Sequence, residues 1–334
     1  MTIKRACVSR YGAIGDQVMI TPVLRQLKKD GYHITVNVSE MGTKVLLHNP
    51  NIDRWLIHNT DSIPMDELPK HWESMSKNYD KFVNLSGVVE QSLLKHPKQS
   101  EYYLPKEERH EICNKNYIDH HMEIAGYPEI KGELPELFFT KEEHNWAKKM
   151  RRKYLGKYWV LWSLAGSSYH KAYPFTEYVA TEFLDNHPDA VMWTVGDNLC
   201  KVWEWDHPRT KCMSGELDIR KSMLLCQYVD VVIGTETGVL NAASCWDTPK
   251  IIILSHSSEE NLSKYWINVI NLHADVQCYP CHQLHYEAGS CPSNKMMAEI
   301  PICMSGLGGK RVLNSMEILY NEKKRTGRDL VVTT

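Results

Sequence analysis

The stretch RYGAIGDQVMITP, residues 10–22, follows the apolar run Ala6–Val8 and leads into a segment whose apolar residues recur at helical spacing. This order predicts a strand, a glycine turn and a helix. Gly12 and Gly15 allow the backbone to adopt a positive φ or to pass close to another group. Asp16 lies where the helix begins, and a carboxylate at the carboxyl end of a strand suits acid–base chemistry. Capping of the helix is an equally good interpretation of Asp16.

Length and charge narrow the class of protein. With 334 residues the chain favours two domains, and its net charge of -2 gives no overall attraction to nucleic acid or anionic membranes. The opening residues MTIKRACVSR lack the apolar run of a signal peptide, and no stretch is apolar enough to span a membrane. We therefore expect a soluble, cytoplasmic protein.

Strands and helices alternate in the first half of the chain, which predicts a parallel α/β sheet. Hydrophobic patterning predicts strands at 33–38, 55–57 and 82–85 and helices at 16–30, around 44–47 and at 116–125. Residues 87–110 are polar and contain two prolines, so we expect an excursion outside the sheet there. A charged helix over 141–157 marks a boundary, and the first domain is expected to span residues 1–153. Its basic run at 148–153 could bind phosphates, although a solvated helix face is the better interpretation.

The same alternation repeats in the second half. Strands are predicted at 158–164, 190–195, 229–233 and 250–254, with helices at 174–185, 219–227, from 239 onward and at 312–324. This indicates a second doubly wound domain over residues 154–310, followed by a C-terminal helix and tail over 311–334. Two such domains would face each other across a cleft, where ligands bind at the carboxyl ends of the strands.

Three small-residue turns follow predicted strands of the second half, at 166–171, 196–198 and 234–238. In the turn GTETG (234–238), free backbone N–H groups would suit a phosphate, and the carboxylate of Glu236 would suit ribose hydroxyls. Lys171 would neutralise a leaving diphosphate. Each feature alone is better interpreted as a helix cap or a surface lysine. The three turns would nevertheless open onto one crevice, and this repetition favours a binding site.

Three motifs together resemble the heptosyltransferase family of GT-B glycosyltransferases: RYGAIGDQVMITP, the segment Lys171–Pro174, and GTETGVLNAAS over 234–244. The resemblance covers most of the chain in order and spacing. It implies two Rossmann-like domains, the first binding an acceptor and the second binding a nucleotide sugar, usually ADP-heptose. The expected activity is transfer of a sugar, heptose-like or other, from a nucleotide-diphosphate donor to an acceptor hydroxyl.

The resemblance also implies roles for individual residues. Asp16 would be the general base, beside an acceptor-side turn that contains Arg10, Gly12 and Gly15. The implied donor-binding residues are Gly166, Ser167, Lys171, Gly196, Asp197, Glu236, Thr237, Gly238, Val239 and Asn241. Two of these depart from the family pattern, because Glu236 replaces an aspartate and Asn241 replaces a frequent histidine. These departures leave the identity of the donor open.

The chemistry of glycosyl transfer indicates a mechanism. An acceptor hydroxyl loses its proton as it attacks the anomeric carbon, and one carboxylate can assist that step. A lysine and backbone amides can stabilise the charge that develops on the leaving diphosphate, so no catalytic metal is expected. With a single base and no second carboxylate evident nearby, direct displacement with inversion is the simpler expectation.

Several partners and one alternative class stay open. Relatives glycosylate lipopolysaccharide sugars or protein serines, so a glycan or a protein acceptor is expected, with residues 86–115 setting the choice. A modified nucleobase in DNA ranks lower because the chain is nearly neutral. A non-catalytic nucleotide-sugar-binding or assembly protein of the same fold is the alternative class, and a homo-oligomer is compatible with either.

A cysteine cluster near the end of the second domain is a separate signal. Cys278, Cys281, Cys291 and Cys303 form the pattern C-x2-C-x9-C-x11-C. Thiolates at this spacing can close a tetrahedral zinc or iron site, while buried reduced cysteines or a redox-labile pair are the alternatives. The cluster resembles the four-cysteine iron-binding finger of bacterial autotransporter heptosyltransferases. That resemblance implies a structural metal in a finger over 278–303 and favours iron.

Overall fold

Two fully parallel β-sheets, each flanked by helices, make up the protein. The computed structural model describes residues 3–58, 63–64, 66–166, 171–285, 291 and 300–327. The predicted α/β class with two doubly wound sheets is confirmed. Within the described ranges, no helix combines the length and apolar character needed to cross a bilayer.

The first sheet contains four strands: β1 (Arg5–Ser9), β2 (His33–Val38), β3 (Arg54–Ile57) and β4 (Lys81–Asn84). Their order across the sheet is β3-β2-β1-β4, and every neighbouring pair is parallel. The strand order reverses at β1, which lies between β2 and β4. Ligands bind open α/β sheets where the order reverses, and here that point is the turn at residues 10–16.

The second sheet contains six strands: β5 (Tyr158–Ser163), β6 (Ala190–Val195), β7 (Thr210–Cys212), β8 (Val231–Thr235), β9 (Lys250–Ile253) and β10 (Val269–Leu272). The order is β10-β9-β8-β5-β6-β7, again all parallel. Here the order reverses between β5 and β8, so the turns at 164–166 and 236–238 lie at the reversal. The edge strands β7 and β10 are absent from the sequence prediction.

Twelve α-helices occur in the described residues. They are α1 (Ile14–Met19), α2 (Thr21–Lys29), α3 (Glu40–Leu46), α4 (Leu68–Ser76), α5 (Lys106–Cys113), α6 (Tyr117–Ile124), α7 (Lys141–Lys153), α8 (Thr176–Asn186), α9 (Ile219–Leu225), α10 (Gly238–Ala243), α11 (Ile302–Ser305) and α12 (Gly309–Thr326). The prediction of one helix over 16–30 is wrong. Pro22 has no backbone N–H and a restricted φ, so the hydrogen-bond ladder breaks at Ile20 between α1 and α2.

The predicted excursion at 87–110 contributes no strand to either sheet. It consists of a π-helical turn at Val89–Leu93, a 3₁₀-helix at Ser100–Tyr103 and the start of α5. The predicted domain boundary after Lys153 stays a prediction. The helix that precedes it, α7, packs against α9 of the second domain, and its Arg151 forms a buried ion pair with Asp230.

The two domains meet where α1 packs against α10. A Cβ placed on Gly238 would lie 2.5 Å from Cγ2 of Ile14 and 3.1 Å from the backbone nitrogen of Gly15. A Cβ placed on Gly15 would lie 2.6 Å from Nδ2 of Asn241. Glycine at both positions therefore allows the two helices to approach more closely than side chains would permit.

A buried arginine of the second domain also binds the first. Arg220 on α9 donates to the backbone oxygens of Lys44 at 3.0 Å and Phe138 at 2.8 Å, and it forms an ion pair with Glu143. The carbonyl of Lys44 belongs to the last turn of α3, where carbonyls lack intrahelical partners. Arg220 thus joins α9, α3 and the segment that connects the domains.

The cysteine-rich segment of the second domain crosses to the excursion of the first. Lys95 donates its backbone N–H to the carbonyl of His282 at 2.8 Å, and its own carbonyl accepts from the N–H of Leu284 at 2.8 Å. The guanidinium of Arg109 donates to the carbonyl of Cys281 at 2.6 Å. The polar excursion therefore finds backbone hydrogen-bond partners in the other domain.

We expect Gly238→Ala to lower the free energy of unfolding by about 1–3 kcal/mol. The added methyl group would collide with Ile14 and with the backbone nitrogen of Gly15, which is held in α1. Urea unfolding followed by circular dichroism measures the change. Gly308→Ala is the matched control, since a Cβ at Gly308 would meet no atom within 4 Å. Equal stability of the two variants would contradict the close approach of α1 and α10.

Candidate functional site

A cleft of about 560 Å³ lies between the two domains. Most of the predicted site residues line it: Gly15, Asp16, Gly166, Lys171, Gly196, Asp197, Glu236, Thr237, Gly238, Val239 and Asn241. Ser167 lies outside the described residues. Arg10 and Gly12 are not on the cleft wall and lie behind Asp16, which they support.

Asp16 combines the two roles that its sequence position allows. It is the third residue of α1, and its Oδ2 accepts the backbone N–H of Ala13 at 2.7 Å, which satisfies a donor at the start of the helix. The same side chain is 12% exposed and lines the cleft. Gly12 has a φ of 149°, and a Cβ there would lie 2.5 Å from Oδ2 of Asp16, so only glycine fits the turn.

Arg10 is a fully buried cation held between two carboxylates. Its Nη2 lies 2.7 Å from Oδ1 of Asp16, and its Nη1 donates to the carbonyl of Leu85 at 2.7 Å. Both terminal nitrogens also lie 3.5 Å from oxygens of Glu90. A buried charge needs such partners, because an unpaired one would be strongly destabilising.

Glu90 is a cleft residue that the sequence prediction missed. It lies on the π-helical turn of the excursion and faces the cleft beside Asp16, so the expectation that no second carboxylate lies near Asp16 is wrong. Burial raises the pKa of Glu90, and the nearby charge of Asp16 raises it further, while Arg10 opposes both effects. No local sequence signal marks this glutamate, because its position depends on how the polar segment folds against the second domain.

Two second-domain turns that were predicted to bind a donor approach each other around Lys171. Its ammonium donates to the carbonyl oxygen of Glu236 at 3.0 Å, and a Cβ on Gly166 would lie 3.0 Å from Cδ of the lysine. Thr237 is the N-cap of α10, and its hydroxyl accepts from the N–H of Leu240 at 3.3 Å. The predicted cap at this turn is thus present, and a cation lies beside it.

The carboxylate of Glu236 binds protein donors. Its Oε1 accepts the backbone N–H groups of Ser255 at 2.7 Å and Ser257 at 3.2 Å, and its Oε2 lies 2.9 Å from Nδ1 of His256. Burial alone would raise the pKa of Glu236, but His256 and these hydrogen bonds lower it to about 2. This geometry favours a role in holding the turn at 255–257 over the predicted contact with ribose hydroxyls.

Asp197 is an exposed acid on the second-domain wall of the cleft. Its Oδ1 accepts from the N–H groups of Leu199 at 2.9 Å and Cys200 at 3.2 Å, which caps the 3₁₀-helix at Asn198–Trp203. The residue lies on the cleft wall and is open to solvent.

The basic run at 148–153 contains one buried residue. Arg151 is 4% exposed, and its guanidinium forms an ion pair with Asp230 at 2.7 Å.

The four clustered cysteines line one small cavity of about 20 Å³, separate from the cleft. These are Cys278, Cys281, Cys291 and Cys303. Among the described residues, no group of three or more His, Cys, Asp or Glu side chains is arranged as a ready metal site. The four cysteines thus line one cavity, and the predicted metal among them stays a proposal.

Several solved structures share this fold at low sequence identity. The ADP-heptose lipopolysaccharide heptosyltransferase II of Escherichia coli is 13% identical, with a TM-score of 0.64 over 96% of this chain and 99% of that one. A family 9 glycosyl transferase from Veillonella parvula is 14% identical, with a TM-score of 0.64 over 96% and 97% of the two chains. The dodecameric, iron-containing heptosyltransferase TibC of enterotoxigenic E. coli, in complex with ADP-D-β-D-heptose, is 12% identical, with a TM-score of 0.64 over 98% and 81%.

No protein-family model matches the chain, and no curated protein matches it in sequence. At 12–14% identity the structural similarity establishes the fold. The chain resembles the heptosyltransferases in architecture and has their two-domain GT-B fold.

Proposed function

We propose that the protein is a glycosyltransferase that moves a sugar from a nucleoside diphosphate onto an acceptor hydroxyl. One observation carries the proposal: Asp16 of the first domain and Lys171 of the second line the same cleft. A carboxylate that can accept a proton thus shares a cleft with a cation that can bind a leaving diphosphate. The fold shared with heptosyltransferases supports this function.

In the proposed reaction, Asp16 accepts the proton of the acceptor hydroxyl while that oxygen forms a bond to the anomeric carbon of the donor. The bond between the anomeric carbon and the diphosphate oxygen breaks, and its electron pair leaves with the nucleoside diphosphate. Hydrogen bonds from Arg10 and Ala13 hold the carboxylate in place for this step. Attack opposite to the leaving group inverts the anomeric configuration.

Lys171 is our candidate for the cation that binds the diphosphate. One of its three N–H donors binds the carbonyl of Glu236, and the other two would bind phosphate oxygens. Gly166, Gly196 and Gly238 would let the backbone approach the donor closely. Asp197 is our candidate for the ribose hydroxyls, because it is exposed in the cleft whereas the carboxylate of Glu236 is bound by the protein.

An ADP-sugar is the first donor to test, and a heptose the first sugar. This choice rests on relatives of the same fold whose names specify ADP-heptose. Thermal-shift measurements with ADP-, UDP- and GDP-sugars would identify the nucleotide, because a ligand that binds the folded state raises the melting temperature. The donor with the largest shift then enters the activity assay.

We further propose a structural iron or zinc ion at Cys278, Cys281, Cys291 and Cys303. Four sulfur donors around one cavity suit either metal. Burial, with a smaller contribution from the neighbouring Cys278 and Cys291, raises the pKa of the Cys281 thiol to about 12. Such thiols would ionise together only with a cation among them, and a bound metal supplies that charge. The ion would stabilise the finger, and no step of the transfer passes through it.

We expect Asp16→Asn to lower kcat by about 10²–10⁴-fold, because the amide cannot accept the hydroxyl proton. Turnover is measured as release of nucleoside diphosphate from the donor chosen by thermal shift. Asp247→Asn is the matched control, since Asp247 is exposed and does not line the cleft. Full activity of Asp16→Asn would contradict its role as base.

The product of the same assay distinguishes two further outcomes. Inversion at the anomeric carbon, determined by NMR, is expected for direct displacement, and net retention would contradict it. Binding of a nucleotide sugar by the wild type without any turnover would favour a non-catalytic binding protein of this fold.

We expect the purified protein to contain about one iron or zinc ion per chain, as four thiolates form one tetrahedral site. Elemental analysis measures the metal, and visible absorption distinguishes iron–thiolate from zinc. Cys278→Ser should lose the metal, whereas Cys212→Ser should retain it because Cys212 is an exposed thiol outside the cluster. Metal-free wild type with an unchanged melting temperature would contradict the site.

A further inference from the structure

The first-domain wall of the cleft carries charge of one sign. Among the described first-domain residues that line it, the charged side chains are Asp16 and Glu90, and both are acidic. Lys171, a cation of the cleft wall, belongs to the second domain, which also contributes the acids Asp197 and Glu236 to the wall. The part of the cleft that would receive the acceptor is therefore acidic, whereas the part that would receive the diphosphate contains the lysine.

Arg10 does not reverse this charge. Its side chain is 0% exposed, and its guanidinium lies behind the two carboxylates, 2.7 Å from Asp16 and 3.5 Å from Glu90. One positive charge faces two carboxylates, so the group has no positive excess to offer a ligand. The side chain of Glu90 is 29% exposed, which leaves part of it open to the cleft.

Apart from Tyr117, the other described side chains of this wall are apolar. Met19, Met41, Val89 and Leu94 line the cleft around the two acids. Such surfaces pack against the C–H faces of a sugar ring, while carboxylates accept hydrogen bonds from its hydroxyls. Phosphate or carboxylate groups on an acceptor would instead meet like charge in a partly desolvated site.

We propose that the acceptor is an uncharged or cationic, hydroxyl-bearing molecule, and that Glu90 is the residue that excludes phosphorylated acceptors. This inference rests on the proposed glycosyl transfer. Glu90 accepts a hydrogen bond from an acceptor hydroxyl next to the one that Asp16 deprotonates. An acceptor that carries phosphate at that position is repelled by Glu90. The same negative charge disfavours DNA as the acceptor, because its phosphates would lie against the acidic side chains of the first-domain wall.

The test compares matched acceptors in one assay. The probes are methyl glycosides of hexoses and heptoses, their 6-phosphates and the corresponding 2-amino sugars. The donor is the nucleotide sugar selected by thermal shift, and transfer is measured by mass spectrometry. We expect the wild type to prefer each neutral or amino probe to its phosphorylated counterpart by about tenfold or more in kcat/KM.

Glu90→Gln keeps the size of the side chain and one acceptor oxygen, and it removes the negative charge. This variant should lower the ratio of kcat/KM for a neutral probe to kcat/KM for its phosphorylated counterpart. A merely structural role of Glu90 would not change that ratio. Glu111→Gln is the matched control, because Glu111 lies on α5, which begins in the excursion, is exposed and does not line the cleft. It should keep the wild-type ratio.

The outcomes separate the inference from the function on which it rests. Equal or better use of phosphorylated probes by the wild type would overturn the inference and leave glycosyl transfer standing. An unchanged ratio in folded Glu90→Gln would overturn the assignment to Glu90. No transfer to any probe would count against the proposed function itself. If Glu90→Gln does not fold, the wild-type comparison of neutral and phosphorylated probes still decides the acceptor class.

Discussion

The close contact of α1 with α10 is the constraint on which the arrangement of the cleft depends. Gly15 and Gly238 lie where a side chain on either helix would collide with the other. Asp16 follows directly after the first of these glycines, and the turn that contains Glu236 and Thr237 precedes the second. Because the helices touch at this point, the acidic turn of one domain and the lysine-bearing turn of the other border a single cleft. Two otherwise separate parallel sheets thereby contribute to one site.

Much of the fold could be predicted from the sequence. The strands at His33–Val38 and Ala190–Val195 have the predicted bounds, because long apolar patterning fixes strands that are buried in a sheet. The edge strands Thr210–Cys212 and Val269–Leu272 could not be predicted in this way. They are three and four residues long and mostly partly exposed, so their conformation comes from pairing with a neighbour rather than from a hydrophobic pattern.

The site was less predictable than the fold. The glycine turns at strand ends predict that Asp16 and Lys171 lie at one cleft, and both residues line it. This could be predicted because their positions follow from the local order of strand, turn and helix. Glu90 and the partners of Glu236 depend instead on contacts between distant segments. Glu90 lies on an excursion whose shape is set by the second domain, and Glu236 binds a turn about twenty residues further along the chain. No local pattern encodes either contact.

The hydrogen bonds between the cysteine-rich segment and the excursion limit how the two domains can move. Rigid separation of the sheets would break the backbone bonds of Lys95 with His282 and Leu284, and also the bonds of Arg109 and Arg220 to carbonyls of the opposite domain. Each such bond contributes roughly 1 kcal/mol, so a wide-open form would be a rare member of the ensemble. Ligand exchange would then proceed through local movement at the cleft mouth rather than through a large hinge rotation.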